Sequence, residues 1–407
     1  MNAMIADSVD RLGEIPAHWK ISKLKYLADN IGKKNDYLGG NYIGLENIES
    51  WTGKIIFANS ENFIESGLNF FDENFILFSK LRPYLAKVAR PTFSGQCSTE
   101  LLTILPRGID KNFLFHLMIS HGFIFEVDSS TYGTKMPRAN WNFISNIKIP
   151  LPPLEEQKKI AAYLDKKCSA IDSAVDAAKK MVETLASYKK SLITETVTKG
   201  LNPSAKMIAG GVEWLGKIPA HWKISKLKYL FKIFSGTTPN TDKEYYWGGN
   251  IFWITPADFK SKNLTELGVK DYGLRLIPPN SLIFSKRAPI GEVAITSAEL
   301  TINQGCLACI PKKISDTKYY YYLLSILNEP FNFFGAGTTF KEISLSNFER
   351  FSVILPPLEE QKKIADFLDK KCSAIDESIS AHKNLAEKLS EYKKSLIYEV
   401  VTGKKEV

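Results

Sequence analysis

The chain has 407 residues, of which 44% are hydrophobic and 24% are charged, and its formal net charge is +9. This length is enough for two to four domains with real cores, and the composition is that of a soluble globular protein. No apolar run reaches the roughly 18 residues that a membrane helix needs, and the acidic N-terminal segment does not fit a signal peptide, so we expect a cytoplasmic protein.

A motif near the start of the chain returns later without change. Ile15 to Leu27 reads IPAHWKISKLKYL, and the same 13 residues recur from Ile218 to Leu230. Each copy is followed by a middle segment, residues 28–153 in the first half and 231–357 in the second. These middles have nearly equal lengths but align poorly. The chain is therefore predicted to be two tandem halves with a shared frame and divergent middles.

Each middle alternates short β-rich runs with turn residues and then has one helical candidate. The predicted elements are strands over 41–45, 54–58, 75–78 and 101–105 with a helix over 111–126, and strands over 251–255, 281–285, 292–296 and 307–310 with a helix over 315–328. Both middles are thus predicted to be α/β modules of one architecture. Residues 200–216, which join the halves, are expected to be a loop.

A long segment that follows each middle is also duplicated. Residues 154–193 and 358–397 agree at 27 of 40 positions. Apolar residues recur there in alternating steps of four and three, which predicts a long helix with a heptad seam. The predicted seam consists of Leu164, Cys168, Ile171, Val175, Val182 and Leu185 in the first helix and Leu368, Cys372, Ile375, Ile379 and Leu389 in the second. Neither helix can bury so narrow a stripe alone, so we expect each to pack against the other. Two equivalent helices also predict two copies of one partner protein.

Basic and amide residues follow predicted strands in both middles. Residues 78–83 and 284–289 each place two positive charges between a strand end and a proline. Arg suits guanine, Asn or Gln suits adenine and Lys suits phosphate, although a solvated charge or a structural hydrogen bond is the plainer alternative for any one of them. The candidate DNA-binding residues are Lys80, Arg82, Lys87, Gln96, Lys135, Arg138, Asn140, Lys286, Arg287, Gln304, Thr338, Thr339 and Lys341.

Signatures of catalysis are sparse in this sequence. It has no GxxxxGK[ST], GxSxG or HExxH motif. Cys306 and Cys309 have the spacing of a redox or half-zinc motif, but no second pair accompanies them. Residues 333–337 fit the FxGxG pattern of adenosylmethionine-dependent methyltransferases, yet no NPPY-type motif occurs. We therefore expect no catalytic residues, no metal site and no cofactor.

Taken together, these residues resemble the specificity subunit of type I restriction-modification systems, the HsdS family. The resemblance spans essentially the whole chain, and its motifs are IPAHW at Ile15 and Ile218, PLPPLEEQKKIA at Pro150, LPPLEEQKKIA at Leu355, SGTTP at Ser235 and SKRAPIG at Ser285. The first middle departs from the SGTTP pattern, since residues 31–35 read IGKKN there.

The resemblance implies an α+β chain with two α/β target recognition domains in tandem, residues 1–153 and 202–357. Two long helices, residues 154–201 and 358–407, would join them as an antiparallel coiled coil with pseudo-two-fold symmetry. Each domain would read one half of a split, asymmetric target in double-stranded DNA. The helices would set the spacing and dock two methyltransferase subunits, and two ATP-dependent restriction subunits would complete the complex. The subunit itself would be non-catalytic.

Two other hypotheses stay open at this point. The chain could be a self-contained DNA methyltransferase that uses residues 333–337, which the missing NPPY-type motif disfavours. It could also be a coiled-coil adaptor whose globular parts bind proteins, in which case it would show no sequence-dependent binding to DNA.

Overall fold

The computed structural model describes residues 4–6, 14–32, 34, 41–56, 68–131, 133, 135–212, 214–240, 242–260, 268–269, 274–287, 289–334 and 342–407. The chain divides into two compact units. Unit 1 comprises Met1–Lys180 with His382–Val407, and unit 2 comprises Met181–Ala381. This division cuts each long helix near its middle, whereas the boundaries drawn from the sequence treat each helix as a separate segment.

Unit 1 contains the first middle and parts of both long helices. Its strands are β1 (Met4–Ala6), β2 (Glu14–Pro16), β3 (Lys20–Lys23), β4 (Ala28–Asn30), β5 (Asn41–Ile43), β6 (Asn69–Phe71), β7 (Ile76–Ser79), β8 (Val88–Ala89), β9 (Gly95–Cys97), β10 (Leu101–Pro106) and β11 (Lys148–Leu151). Its helices are α1 (Lys111–Ile119), α2 (His121–Ser129), α3 (Trp141–Ile144) and the first part of α4 (Leu154–Lys199).

In the described part of unit 1, the strands form two small sheets and two strand pairs. One sheet has the antiparallel order β4-β10-β7-β8, and the other has the order β5-β9-β6, in which β5 and β9 are parallel. Strands β1 and β2 pair, as do β3 and β11. The single helix predicted over 111–126 is broken at Ser120, which has an extended ψ of 147° and accepts a hydrogen bond from Phe123 N–H at the start of α2.

Unit 2 contains the second middle between the remaining parts of the long helices. Its strands are β12 (Met207–Ala209), β13 (Lys217–Pro219), β14 (Lys223–Lys226), β15 (Phe231–Ser235), β16 (Trp247–Ile254), β17 (Gly268–Val269), β18 (Leu282–Ser285), β19 (Val293–Ile295), β20 (Leu300–Ile302), β21 (Cys306–Pro311) and β22 (Ser352–Leu355). Its helices are α5 (Leu227–Leu230), α6 (Thr317–Ser325), α7 (Asn328–Phe334), α8 (Leu345–Arg350) and the first part of α9 (Leu358–Val401).

The four-stranded sheet of unit 2 repeats that of unit 1, whereas the three-stranded sheets differ in their central strand, which is β9 in unit 1 and β16 in unit 2. The antiparallel order β15-β21-β18-β19 corresponds to β4-β10-β7-β8, and in the sheet β17-β16-β20 the pair β16 and β20 is parallel. The pairs β12 with β13 and β14 with β22 also recur. This confirms the prediction of one architecture for both middles. The predicted loop over 200–216 contains a strand, because β12 pairs with β13 there.

The two long helices run antiparallel within each unit. Helix α4 has 46 residues and α9 has 44, so each is roughly 70 Å long at about 1.5 Å per residue. In unit 1, Asp172 of α4 contacts Lys393 of α9, while Leu164, nearer the start of α4, shares a core with Val400, nearer the end of α9. Successive residues of α4 thus meet successively earlier residues of α9, so the two helices run in opposite directions. In the described part of the chain, none of the helices is long and apolar enough to cross a membrane.

Candidate nucleic-acid interface and helix junctions

A buried strand of unit 1 ends in a basic loop. Strand β7 ends at Ser79, whose hydroxyl donates to the backbone carbonyl two residues further on at 2.7 Å. The chain then turns sharply, because Arg82 has a left-handed φ of 49°. The N–H of Ala139 donates to the carbonyl of Lys80 at 2.8 Å, so this loop is bonded to the loop that closes the first middle. Two segments that lie far apart in sequence thus come together.

The corresponding loop of unit 2 makes the same two hydrogen bonds. The hydroxyl of Ser285, the last residue of β18, donates to the carbonyl of Arg287 at 2.8 Å. Ile343 N–H donates to the carbonyl of Lys286 at 3.0 Å, as Ala139 N–H does to Lys80 in unit 1. The two middles therefore share these hydrogen bonds although their residues differ.

Glu342 binds both cations of the unit 2 loop. Its carboxylate lies 2.9 Å from Lys286 Nζ and 2.9 Å from Arg287 Nε. These contacts lower the pKa of Glu342, and the hydrogen bond from Lys286 is the largest influence. Arg287 is half exposed, whereas the Lys286 side chain is only 12% exposed. A phosphate could therefore compete with Glu342 for Arg287 more easily than for Lys286.

Arg138, Lys87 and Asn140, which are among the predicted DNA-binding residues, make side-chain contacts within unit 1. Arg138 makes a two-point contact with Glu100 at 3.1 and 3.2 Å. Lys87 is half-buried and donates to the carbonyl of Leu45 at 2.6 Å. The side-chain oxygen of Asn140 accepts a backbone N–H at the start of α3. Lys87 and Asn140 thus support the local fold, and Arg138 is held by a carboxylate.

The more accessible cations of unit 1 lie together at the basic loop. Arg82 and Lys135 are exposed, and Arg82 Nη2 donates to the carbonyl of Lys135 at 3.5 Å. Lys80 is half-buried in the same loop. These three side chains are the best placed of the unit 1 candidates to meet phosphate.

The two candidate glutamines occupy different positions on their sheets. Gln96 lies within β9 and is half-buried, whereas Gln304 is exposed just beyond β20. The hydroxyl of Thr238 donates to the side-chain oxygen of Gln304. Nearby, Trp253 Nε1 donates to the carbonyl of Thr237 at 3.0 Å. Thr238 and Trp253 were not among the candidates, although the SGTTP motif and its neighbouring aromatic strand were a signal for them.

Three predicted residues, Thr338, Thr339 and Lys341, lie outside the described residues, as do the glycines of the methyltransferase-like pattern at 333–337. Helix α7 ends at Phe334, so the described part of that pattern is helical. In the methyltransferases that it resembles, the glycines end a strand. The local structure before the glycines is thus different here.

Cys306 and Cys309 face different hydrophobic cores. Cys306 packs with the cluster around Phe234, and Cys309 packs with the cluster around Phe284. Residues three apart on a strand point to opposite faces, so these two thiols do not converge. Burial raises the pKa of Cys306 to about 12, which keeps its thiol protonated and unreactive. Within the described ranges, no three His, Cys, Asp or Glu side chains are grouped so that they could hold a metal ion.

Most of the predicted seam residues are buried between the helices. The side chains that are at most 8% exposed are Leu164, Cys168, Ile171, Val175, Leu368, Cys372 and Ile375. The half-buried ones are Val182, Leu185, Ile379 and Leu389. Leu164 belongs to a core that includes Val400 of α9, and Leu368 belongs to a core that includes Val197 of α4. In each unit the seam thus also joins the core of the globular part.

An ion pair links the two helices in each unit. In unit 1, Lys393 is nearly buried and lies 2.8 Å from both carboxylate oxygens of Asp172. In unit 2, Lys189 lies 2.7 and 2.6 Å from the oxygens of Asp376. Asp172 and Asp376 occupy equivalent positions of the duplicated helix, and so do the two lysines. The duplication therefore reproduces one interhelical contact twice.

The repeated IPAHW motif ties both helices to the globular part of each unit. In unit 1, His18 Nε2 and Trp19 Nε1 lie 2.9 and 3.0 Å from the two carboxylate oxygens of Glu156, at the start of α4. The end of α9 meets the same tryptophan, because a Cβ placed on Gly403 would lie 3.1 Å from its ring. His221, Trp222, Glu360 and Gly200 repeat this arrangement in unit 2. The recurrence of the histidine and tryptophan of the motif thus has a structural cause.

A buried glutamine completes each helix start. Gln157 donates from Nε2 to the carbonyl of Pro152 at 2.8 Å and accepts the N–H of Asp110 at 2.8 Å. Gln361 makes the same two bonds in unit 2, also at 2.8 Å. Both side chains are at most 2% exposed, so an unmade bond would leave a buried polar group. The LEEQ sequence after the prolines therefore fixes the helix onto its module.

A shared aspartate on each helix has a different partner in each unit. In unit 1, Asp165 of α4 binds Arg90, and His116 Nε2 lies 2.8 Å from its Oδ1. Burial would raise the pKa of Asp165, but the hydrogen bonds from His116 and Arg90 outweigh it and lower the pKa to about 2. Burial lowers the pKa of His116, so this imidazole is neutral and donates its Nε2 proton to the carboxylate.

The equivalent aspartate of α9 is Asp369. Its partners in unit 2 are Lys318 and Tyr322, whose hydroxyl donates at 2.8 Å. The helix residue is thus the same in both units, while the middles supply Arg and His in one and Lys and Tyr in the other. Because the aspartate is constant and only its donors differ, it is a common attachment point for the two divergent modules.

A family model described as the type I restriction modification DNA specificity domain matches this chain twice, over residues 16–175 and 219–389. The two matches cover both modules and parts of both long helices.

Several proteins with known names are similar to the chain. The MjaX specificity subunit of Methanocaldococcus jannaschii, a type I restriction enzyme subunit, is 29% identical over 97% of this chain and 95% of its own length. The MjaIX specificity subunit of the same organism is 37% identical, over 38% of each chain. The Escherichia coli EcoDI specificity subunit is 33% identical over 38% of this chain and 36% of its own.

Two solved structures have a similar fold. A chain from a study of complex assembly and conformational transition in the type I R-M system gives a TM-score of 0.79 at 21% identity, with 96% of this chain and 99% of that chain covered. The HsdS subunit from Thermoanaerobacter tengcongensis gives 0.58 at 21% identity, with 96% and 98% covered. At this level of identity the likeness supports the fold.

Proposed function

The chain belongs to the family of type I restriction-modification DNA specificity subunits, and we propose that its two divergent modules each read one half of a bipartite, asymmetric sequence in double-stranded DNA. The observation that carries this proposal is that the duplicated motifs and helices are nearly identical in the two halves, while the middles, residues 28–153 and 231–357, differ in sequence. Both units have the same four-stranded sheet and the same two strand pairs, while the loops at their strand ends carry different side chains.

The strand-end loops are the proposed reading surfaces. Lys80, Arg82 and Lys135 supply the positive charge in unit 1, and Arg287 supplies it in unit 2. Phosphate contacts fix the position of a protein on DNA, and base contacts give it specificity. Gln304 and Thr238, which share a hydrogen bond, are the proposed base-reading pair of unit 2.

The long helices have two roles in this proposal. They hold the two reading modules at a set spacing, and they dock two methyltransferase subunits, one for each copy of the duplicated frame. Two ATP-dependent restriction subunits would complete the complex. The specificity subunit would itself catalyse no step and would decide where adenine methylation occurs.

Substitution of the unit 1 loop tests the DNA contact. We expect Arg82→Ala with Lys135→Ala to weaken DNA binding by the complex about tenfold or more and to make the binding less dependent on salt, because fewer phosphate contacts release fewer counterions. The measurement is a titration of labelled target DNA at several salt concentrations. Lys148→Ala, which removes an exposed lysine of strand β11, is the control. Unchanged affinity and salt dependence in the double variant would contradict the assignment.

A further inference from the structure

A four-residue turn leads into strand β10 in unit 1 and into strand β21 in unit 2. It spans residues 98–101 and 303–306, and we call it the tip turn. In each copy the last N–H donates to the carbonyl of the first residue, at 2.9 Å in unit 1 and 3.1 Å in unit 2. The side chain of that first residue, Ser98 or Asn303, also accepts the N–H two residues further on, at 3.3 and 2.9 Å. The same hydrogen bonds therefore form the turn in both units.

The tip turn is also held by the same neighbours in both units. Its first N–H donates to the carbonyl of Ile43 in β5 at 3.0 Å in unit 1, and to the carbonyl of Ile254 in β16 at 2.9 Å in unit 2. On its other side, its third carbonyl accepts the N–H of Lys80 at 3.1 Å in unit 1 and the N–H of Lys286 at 3.0 Å in unit 2. The turn thus lies next to the basic loop of each unit, and its residues correspond one by one.

This correspondence makes Thr99 the counterpart of Gln304. Each is the second residue of its tip turn, and each is exposed. Gln96 has a different counterpart, because the parallel pairing of β5 with β9 and of β16 with β20 sets it level with Thr301, which is only 3% exposed. The glutamine that the sequence offered as a base reader in unit 1 therefore does not occupy the place that Gln304 has in unit 2.

The tip of each turn is an uncharged polar side chain beside cations. In unit 1 the residue after the tip is Glu100, whose carboxylate binds Arg138 at 3.1 Å. In unit 2 the half-exposed Arg287 directly follows the lysine that bonds the turn. Cations of this kind bind phosphate and fix a protein on the duplex, whereas uncharged donors and acceptors read the edges of bases. The tip is thus placed to meet a base when the cations beside it meet the backbone.

We propose that Thr99 is a specificity-determining residue, which contacts one base pair of the half-site read by unit 1 as Gln304 does in unit 2. This inference rests on the proposed function and adds to it the reading residue of unit 1. A glutamine amide suits adenine, whereas threonine offers a hydroxyl and a methyl group, and the methyl group suits the methyl of thymine. The two units would therefore read different bases through the same turn.

The test maps methylated adenines in DNA treated with the full-length chain and the proposed methyltransferase subunit. We expect Thr99→Gln to change the accepted base pair at one position of one half-site. It should also slow methylation of the wild-type sequence about fivefold or more, because one mismatched contact to a base pair costs at least that much. Gln304→Thr should have the same effect at one position of the other half-site.

A turn of the same kind at the other end of β7 supplies the matched control. It spans residues 72–75, and Asp72 accepts the N–H of Asn74 on its side chain at 2.8 Å and the N–H of the fourth residue on its carbonyl at 3.2 Å. The exposed second residue of this turn is Glu73. Glu73→Gln places a glutamine at the tip of an equivalent turn away from the basic loop, so the recognised sequence and the rate should stay as in the wild type.

The outcomes separate this inference from the proposed function. An unchanged sequence in either Thr99→Gln or Gln304→Thr would overturn the inference, and so would a change at several positions, which would show that the turn acts through the fold of the module. A wild-type chain that directs methylation to no bipartite sequence would overturn the proposed function itself. Thermal melting shows whether each variant is folded, and Thr99→Val, which keeps the shape and removes the hydroxyl, gives the same readout if Thr99→Gln does not fold.

Discussion

At the scale of single residues, the divergent modules attach to the helices through a shared carboxylate. Asp165 accepts hydrogen bonds from Arg90 and His116, while its counterpart Asp369 accepts them from Lys318 and Tyr322. A bond to a charged acceptor is stronger than one between neutral groups, so each pair of donors can fix the position of a module. The helix can thus stay constant while the donors change with the module.

Replacement of this carboxylate tests its contribution. We expect Asp165→Asn to lower the free energy of unfolding by about 1–2 kcal/mol at pH 7, after an allowance for its partial exposure to solvent. Because the folded pKa of Asp165 is about 2 and the unfolded value is about 3.9, its stabilisation is present above pH 4 and is lost as the pH falls towards 2.

The measurement is thermal or urea unfolding of both proteins between pH 7 and pH 2.5. The difference between wild type and variant should shrink as the pH falls. Glu183→Gln, which neutralises an exposed carboxylate on the same helix, should change little at any pH. A difference that is independent of pH would show that Asp165 acts through packing and not through its charge.

At the scale of secondary-structure elements, the sequence predicted what depends on local patterns. The heptad steps predicted α4 and α9, and the runs of β-rich residues predicted strands such as β7, β10 and β18 close to where they lie. The break at Ser120 was missed, because its cause is the conformation and capping of one residue inside an apolar run. Strand β12 was missed because it consists of three residues in a segment rich in turn formers.

The candidate site was predicted less completely, because ion pairs are not visible in a local pattern. Nothing near Arg138 in sequence shows that Glu100 will neutralise it, and Lys286 and Arg287 meet Glu342 only through the fold. The bonds between Glu156 and the IPAHW motif span more than 130 residues. In the sequence, the IPAHW and LEEQ motifs recur at nearly the same separation in both halves, and this was the one indication that they are in contact.

The helix lengths have a direct consequence if the helices set the spacing between half-sites. Removal of one heptad from the middle of each helix keeps the seam in register and shortens each helix by about 10 Å, which corresponds to roughly three base pairs. We expect the unread gap in the methylated sequence to become shorter while both half-sites stay the same. The check is a map of methylated adenines in DNA exposed to the variant complex. An unaltered gap would contradict the role of the helices as spacers.

At the scale of the whole molecule, the duplication separates constant from variable functions. The constant part comprises the IPAHW segments, the helix starts and the interhelical pairs Asp172 with Lys393 and Asp376 with Lys189. The variable part comprises the strand-end loops, which make the same serine hydrogen bond but carry different side chains. Each unit carries one copy of each part, so a module can change without disturbing the frame.

The most direct test of this account is to replace residues 28–153 with the middle of a relative and to map the adenines that become methylated in DNA treated with the chain and the proposed methyltransferase subunit. The new middle must then supply its own hydrogen-bond donors to Asp165 in place of Arg90 and His116. We predict a bipartite sequence for the wild type, and for the exchanged chain a sequence in which one half is new and the other half and the gap are unchanged. A change in both halves, or in neither, would contradict the account.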